Sequence, residues 1–110
     1  MTMSELYGQM DEHELRQEIA NLREKARKAE QLGILNEFAV YERKALMVAS
    51  YLIDPATITP GEMYRIDGTT DEYFKVDRLK GRFAWGYRLG STQYEEALPI
   101  SLLAPIKVGK

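Results

Sequence analysis

Residues 73–89 read YFKVDRLKGRFAWGYRL, and this stretch decides the fold of the second half of the chain. Two alternating runs, Tyr73 to Leu79 and Arg82 to Leu89, flank Lys80-Gly81, a pattern typical of a tight β-hairpin. A two-residue turn there predicts an aromatic and apolar face that pairs Phe74 with Tyr87, Val76 with Trp85 and Arg78 with Phe83. The opposite, mixed and basic face then carries Tyr73, Lys75, Asp77, Arg82, Ala84, Gly86 and Arg88.

Further short strands are expected on both sides of this hairpin. A strand is predicted at 62–66, directly after Thr59-Pro60-Gly61, and the turn-forming residues 67–71 are expected to end it. Another strand is predicted at 94–100, with a 3₁₀ turn expected at 101–103. Because barrel closure removes the edges of so short a sheet, the pattern favours a small SH3-like β-barrel over residues 55–106.

The first half of the chain is predicted to be helical, with a helical hairpin over residues 11–54. Asp11 is the expected N-cap, with Glu14 completing a capping box. An apolar stripe follows at helical spacing, formed by Leu15, Ile19, Leu22, Ala26 and Ala29. Gly33 is the expected C′ glycine at the end of this helix.

A second apolar stripe runs through Ile34, Phe38, Tyr41, Ala45, Val48 and Leu52, until Asp54-Pro55 ends it. The alternative to a hairpin is one long helix through Gly33, which would favour a dimeric coiled coil. The fold class is therefore α+β, an N-terminal helical hairpin followed by an SH3-like barrel. Residues 1–10 are expected to be a flexible N-terminus and residues 107–110 a tail.

Composition excludes several function classes. The 110-residue chain has no cysteine and one histidine, which argues against disulfide frameworks, thiolate catalysis and Cys/His zinc sites. No apolar run approaches the length of a membrane span. Glu5 and Asp11 lie where a signal peptide would need basic and then apolar residues, so we expect a cytoplasmic protein without membrane association.

Several segments together resemble the YfhH-like family of small bacterial proteins. They include KARKAEQ at 25–31, PGE at 60–62, FAWGYR at 83–88 and EEALPIS at 95–101, and the resemblance runs from about Tyr7 to Leu103. It implies a helical N-terminal part followed by an SH3-like barrel. It implies no activity and no catalytic residues.

The residues themselves offer little for catalysis. His13 falls in the first turn of the first helix with no second ligand or nucleophile nearby in sequence. Adjacent carboxylates such as Glu95-Glu96 would point to opposite faces of a strand, so they do not make an acid and base pair. We expect no enzyme activity, no catalytic residue, no metal and no cofactor, although a carboxylate-only metal site remains a third alternative.

The aromatic row Phe83, Trp85 and Tyr87 allows two interpretations. It could form a stacking platform for bases or a groove for a proline-rich peptide. We favour a core role for Phe83 and Trp85, because a small barrel has few other residues to fill it. Tyrosines that do not share this face are expected at the rim with wet hydroxyls, namely Tyr64, Tyr73 and Tyr94, and Tyr87 is a further candidate for binding.

Basic residues decorate the predicted hairpin. Lys75, Arg78, Lys80, Arg82 and Arg88 could follow a phosphate backbone with a nearby tyrosine. Against this, the net charge is −2, divided into −3 over residues 1–54 and +1 over 55–110, whereas nucleic-acid binders are usually strongly basic.

The preferred interpretation is a non-enzymatic binding or adaptor module that engages a protein partner through the rim loops of the barrel or through the helices. The alternative is a nucleic-acid-binding protein that uses the basic hairpin. A homodimer is also considered, because a two-helix hairpin alone cannot bury both of its faces.

Overall fold

The computed structural model describes residues 3–90 and 94–106. The expected tail at 107–110 and most of the expected loop at 90–93 lie outside these residues. The chain is α+β, with three α-helices followed by a five-stranded antiparallel sheet. It divides into two compact units, Met1–Leu52 and Ile53–Lys110. Within the described ranges, no helix is both long and apolar enough to cross a bilayer.

The first unit contains helices α1 (Met3–Gly8), α2 (Glu12–Gln31) and α3 (Leu35–Ala49), followed by a 3₁₀ turn at Ser50–Leu52. Part of the stretch expected to be flexible is therefore helical. Tyr7 of α1 is only 5% exposed, and its ring centroid lies 5.9 Å from that of Tyr51. Burial raises the pKa of the Tyr7 phenol, and the charge of Glu18 raises it further.

The start of α2 confirms the predicted capping box. The Glu14 backbone N–H donates to the Asp11 side chain at 2.8 Å, and the Asp11 N–H donates to the Glu14 carboxylate at 3.1 Å. These two bonds satisfy donors that the first turn of a helix otherwise leaves to water.

Replacing the N-cap in Asp11→Ala should destabilise the helical unit by about 1 kcal/mol, because one of these bonds is lost and the negative charge leaves the helix N-terminus. Urea unfolding followed by circular dichroism measures the loss. Gln17→Ala, at an exposed position of the same helix, is the control and should change little. Equal stabilities for the two variants would contradict the capping role.

The end of α2 confirms the predicted C′ glycine. Gly33 has φ 74°, its N–H donates to the Glu30 carbonyl at 3.0 Å, and the Ile34 N–H donates to the Ala29 carbonyl at 2.9 Å. This pair of bonds is a Schellman motif, which requires a left-handed residue that glycine adopts without strain. Since α2 ends at Gln31, the alternative of one continuous helix is wrong.

The core of the helical unit combines residues of all three helices. It contains Tyr7, Leu15, Leu22, Ala45 and Val48, with partly buried side chains packed around them. Ala26 and Ala29 of the predicted α2 stripe are also buried. The two stripes read from the sequence therefore supply most of this core, and α1 adds Tyr7.

The second unit contains strands β1 (Met63–Ile66), β2 (Tyr73–Lys80), β3 (Phe83–Arg88), β4 (Glu96–Pro99) and β5 (Leu103–Ala104), with 3₁₀ turns at Pro55–Thr57 and Ile100–Leu102. Their order in the sheet is β4-β3-β2-β1-β5.

The sheet is not closed into a barrel, which corrects the expectation of closure: β4 and β5 are its edges. Strand β5 has only two residues, which pair with β1. Strand β4 ends at Pro99, which has no N–H to donate to a neighbouring strand.

One face of the sheet, together with the segments around it, forms the core of this unit. Its buried residues are Ile58, Tyr64, Ile66, Phe74, Val76, Ala84, Leu98, Ile100 and Leu103. Phe74, Val76, Ala84 and Ile100 have no exposed surface. We call this side of the sheet the inner face.

The register of the central hairpin differs from the prediction. Lys80 pairs with Phe83, so the loop is Gly81-Arg82 rather than Lys80-Gly81. Gly81 has φ 60° and Arg82 has a negative φ, the combination of a type II′ turn, which places glycine first in the loop. The new loop position alone moves the partner of Leu79 by two residues, from Arg82 to Ala84, and does not change which side chains of β3 share a face with Val76. The register shift between Val76 and Arg78 removes one residue of this displacement, so Val76 pairs with Gly86 instead of Trp85, and the alternate side chains of β3 exchange faces.

Consequently, the expectation that Phe83 and Trp85 fill the core is wrong. Both are half-buried, whereas Ala84 and Gly86 are buried on the inner face. Val76 pairs with Gly86, and Trp85 pairs with Arg78. The small residues of β3 thus face the core and its large aromatic residues face outward.

Candidate binding surface

A β-bulge in β2 and a glycine in β3 set the direction of the aromatic side chains. The pairing register shifts between Val76 and Arg78, leaving Asp77 without a paired residue. A Cβ atom built on Gly86 would lie 1.9 Å from the Lys75 carbonyl oxygen and 3.2 Å from the Asp77 nitrogen. Only glycine fits this close approach of the two strands, and the residues on both sides of it point outward.

The resulting surface, called here the outer sheet face, consists of Tyr73, Lys75, Arg78, Trp85 and Tyr87. Direct cross-strand pairs join Lys75 to Tyr87 and Arg78 to Trp85, and Tyr73 is two residues before Lys75 on the same side of β2. The three aromatic side chains are half-buried, while Lys75 and Arg78 are exposed. Aromatic rings and cations therefore alternate across the two central strands.

Arg78 is held in place over the indole ring. Its guanidinium carbon lies 5.0 Å from the centroid of the Trp85 ring, within the range of a cation–π contact. It also donates to the Glu95 carboxylate at 2.7 Å. The second contact pairs the cation with a carboxylate, so the guanidinium is held by two partners.

The other arginines of the hairpin are also engaged. Arg82 donates to the Ile53 carbonyl at 2.7 Å. Arg88 forms ion pairs with Glu72 and Glu96, each at 2.7 Å. The hydrogen bond to Glu96 raises the pKa of the Arg88 guanidinium, so the group stays charged.

The two lysines of the hairpin differ from its arginines. Lys75 and Lys80 are exposed, and neither forms an ion pair within the part of the chain that the structure describes. Lys75 lies on the outer sheet face beside Tyr87, while Lys80 pairs with Phe83 next to the turn. The predicted basic surface is therefore reduced to two separate free cations.

The predicted tyrosines are found in three environments. Tyr73 and Tyr87 lie on the outer sheet face. Tyr64 is 7% exposed in the core, and its hydroxyl accepts a hydrogen bond from the Thr59 N–H at 2.8 Å, so it is not a wet rim residue. Tyr94 is 74% exposed, before the start of β4.

Trp85 is the residue of this surface that sequence reasoning assigned to the core. Gly86 is the sequence feature that could have predicted the outward orientation of Trp85, because a glycine inside a strand often marks a bulge or a close backbone approach. Placing Gly86 against the neighbouring strand puts it on the inner face. Trp85 and Tyr87 then necessarily face outward.

The groups that the outer sheet face presents are aromatic rings and cations. Among residues 3–90 and 94–106, no three His, Cys, Asp or Glu side chains are grouped so that they could hold a metal ion. His13 is exposed in the first turn of α2. The outer sheet face offers flat rings, one aligned guanidinium and one free ammonium group.

Comparison with known proteins is consistent with the resemblance seen in the sequence. The chain is 58% identical over 101 residues to the uncharacterized protein YfhH of Bacillus subtilis (strain 168), an alignment that covers 92% of this chain and 96% of that protein. A family model described as a protein of unknown function, DUF1811, matches residues 5–104. The match includes most of the helical unit and all five strands, so the chain belongs to the DUF1811 family.

Proposed function

We propose that the protein is a non-enzymatic binding module of the bacterial cytoplasm, and that it engages a protein partner through the outer sheet face. The observation that carries the proposal is the outward position of Trp85, with Tyr87 and Tyr73 on the same face. Large aromatic side chains that could fill a core are instead placed where a partner can cover them.

The composition of this face supports a protein partner. Tyrosine, tryptophan and arginine are the residues most enriched at the energetic centres of protein interfaces. Here Arg78 is already ordered on Trp85 by two contacts, so little side-chain entropy remains to be lost on binding. An ordered, amphipathic surface of this kind suits a peptide or a protein segment that places apolar groups against the rings.

The pairing of the arginines disfavours the nucleic-acid alternative. Nucleic-acid affinity depends on cations that displace counterions from phosphates. Arg78 and Arg88 are each bonded to carboxylates, and Arg82 is bonded to a carbonyl. A phosphate backbone would have to compete with these contacts, and among the described residues of the hairpin it would find only Lys75 and Lys80 free of them.

We also propose a finer description of the two units. The short connection between α2 and α3 and their shared core support a helical hairpin. The order β4-β3-β2-β1-β5, with a 3₁₀ turn between β4 and β5, supports a partly open SH3-like barrel. In such a barrel, strong strand curvature would present the outer sheet face as a convex surface.

Photo-crosslinking tests the proposal. A benzoylphenylalanine placed at Tyr87 of the full chain in bacterial cells should give one discrete protein adduct, because the ring lies inside the proposed contact. The adduct should be reduced at least roughly tenfold by Trp85→Ser, which removes a central aromatic contact. The yield of the adduct is read on a denaturing gel and its partner is identified by mass spectrometry.

The control places the same crosslinker at Leu32, which is 75% exposed in the helical unit. Adducts of the same mass from both positions, or an adduct that survives Trp85→Ser, would contradict the proposal. Trp85 is the single tryptophan, so its emission also reports directly on this face. Quenching by a single-stranded oligonucleotide at low salt that disappears at physiological salt would favour the nucleic-acid alternative instead.

A further inference from the structure

Helix α3 has an apolar surface on a side that does not pack into the core of the helical unit. The core side contains Ala45 and Val48, which are buried. Val40 lies on a different side and is 50% exposed. A groove of about 350 Å³ lies there, and every described residue that lines it belongs to α3, namely Ala39, Val40, Arg43, Lys44 and Met47. We call this surface the α3 groove.

The spacing of the lining residues shows which shape the α3 groove accepts. Ala39, Arg43 and Met47 are four residues apart and form one ridge along the helix. Val40 and Lys44 form the neighbouring ridge. The space between two such ridges receives a ridge of a second helix that crosses the first. The flexible side chain of Met47 adapts readily to such an occupant.

The charged groups of the α3 groove are both positive. Arg43 lies on one ridge and Lys44 on the other, and no carboxylate is among the described residues that line the groove. Within residues 3–90 and 94–106, neither cation forms an ion pair. Residues 1–54 carry a net charge of −3, so these cations stand out in an acidic part of the chain. Charge complementarity therefore requires an occupant with carboxylates on both sides of its apolar ridge.

We propose that the α3 groove binds an acidic amphipathic helix of a partner protein. An apolar ridge of that helix lies against Val40 and Met47, and glutamates or aspartates beside the ridge pair with Arg43 and Lys44. Apolar anchors supply most of the affinity in such a contact, and the flanking charges select the partner. The lining residues extend over about 12 Å of α3, which corresponds to two or three turns of the partner helix.

An anionic membrane surface would also attract the two cations, but it fits the α3 groove less well. A membrane is an extended surface, so it would meet the acidic residues of the helical unit together with the groove. The net charge of −3 over residues 1–54 opposes such an approach. A single helix meets only the groove. Binding of this helix does not depend on the function proposed for the outer sheet face.

A designed peptide tests the α3 groove in the full chain. The probe is a fluorescein-labelled peptide of about five helical turns, with three leucines spaced by four residues and glutamates on both sides of the leucine ridge. Fluorescence anisotropy should show saturable binding at physiological salt. A second peptide with lysine at every glutamate position should bind at least roughly tenfold more weakly. Amide NMR shifts caused by the glutamate peptide should cluster at residues 39–47.

Charge reversal in the protein tests the role of the two cations. Arg43→Glu/Lys44→Glu should weaken binding of the glutamate peptide at least roughly tenfold and strengthen binding of the lysine peptide, because both ion pairs become repulsive for the first and attractive for the second. Arg23→Glu/Lys28→Glu is the matched control. It makes the same change in net charge at exposed positions of α2 that do not line the groove. It should alter either affinity less than about twofold, and circular dichroism checks that both variants are folded.

A proline at the centre of the glutamate peptide tests whether the occupant is helical. It breaks the peptide helix without changing the charges, so binding should fall at least roughly tenfold. Trp85→Ser should leave the affinity unchanged, because the outer sheet face takes no part. Failure of peptide binding and failure of the function proposed above are therefore distinguishable.

Several results would overturn the proposal. They are the absence of saturable binding up to millimolar glutamate peptide, equal binding of the glutamate and lysine peptides, and equal binding of the proline peptide. Cosedimentation with phosphatidylglycerol vesicles that Arg43→Glu/Lys44→Glu abolishes, without peptide binding, would assign the α3 groove to a membrane surface instead. A dimer in sedimentation equilibrium that the same variant abolishes would assign it to a second copy of the chain.

Discussion

Replacing Gly86 by alanine should destabilise the sheet unit by at least about 3 kcal/mol. The reason is the close approach of β2: an added Cβ would lie 1.9 Å from the Lys75 carbonyl oxygen, which belongs to the backbone and cannot rotate away. Relief requires the two central strands to separate at the bulge, with loss of their hydrogen bonds. The midpoint of thermal unfolding should fall by at least about 12 °C.

The emission of Trp85 on heating measures this effect within the sheet unit, because it is the single tryptophan. Gly8→Ala is the control: a Cβ at Gly8 would meet nothing within 4 Å, and its φ is not in the left-handed region. Its stability should be unchanged or slightly higher. If the unfolding midpoint of Gly86→Ala lay within about 2 °C of that of the natural protein, β2 and β3 would not be in close contact at this position.

Introducing a charge at Ala84 should abolish the folded sheet, whereas truncating Trp85 should not. Ala84 is completely buried, between Leu79 of β2 and Leu98 of β4, so the carboxylate of Ala84→Asp would be placed in an apolar core without a partner. We expect a loss of more than about 4 kcal/mol. Trp85→Ser removes a half-buried ring and its contact with Arg78, at a cost of about 1–2 kcal/mol.

Far-ultraviolet circular dichroism and amide NMR spectra distinguish the two outcomes, and they do not depend on the tryptophan. The Trp85→Ser spectrum should keep the dispersed signals of a folded sheet, and the Ala84→Asp spectrum should lose them. The reverse result, a folded Ala84→Asp variant and an unfolded Trp85→Ser variant, would instead support the register expected from a Lys80-Gly81 turn. This pair of variants therefore tests the position of the candidate binding surface as well as the fold.

The boundaries of α2 were the most predictable part of the protein, whereas α1 lies in a stretch that was expected to be flexible. Asp11, Glu14 and Gly33 act through bonds to backbone groups a few residues away, so their roles follow from spacing alone. The apolar stripes were equally readable, because helical periodicity places their members on one side wherever the partner lies.

The strands were located with similar success, but their faces were not. The alternation in residues 73–89 indicates two strands. In β3 it separates large side chains (Phe83, Trp85, Tyr87) from a second set that includes the small residues Ala84 and Gly86, and the local pattern does not show which set faces the core. The bulge at Asp77 makes the choice, because moving Gly81 from the second to the first position of the turn displaces each partner by two residues and leaves the faces unchanged. A difference of one residue exchanges Trp85 for Ala84 in the core.

The sequence by itself determined the elements: a capped α2 that ends at a glycine, an apolar α3, and a set of short strands with turns between them. Each depends on interactions within a few residues, which local spacing encodes. The tertiary structure alone decided that the sheet stays open, that Arg78 pairs with Glu95 just before β4 and Arg88 with Glu96 in β4, and that Trp85 faces outward. These features arise from contacts between strands distant in sequence, where the packing of one backbone against another selects among registers that the local pattern leaves equivalent.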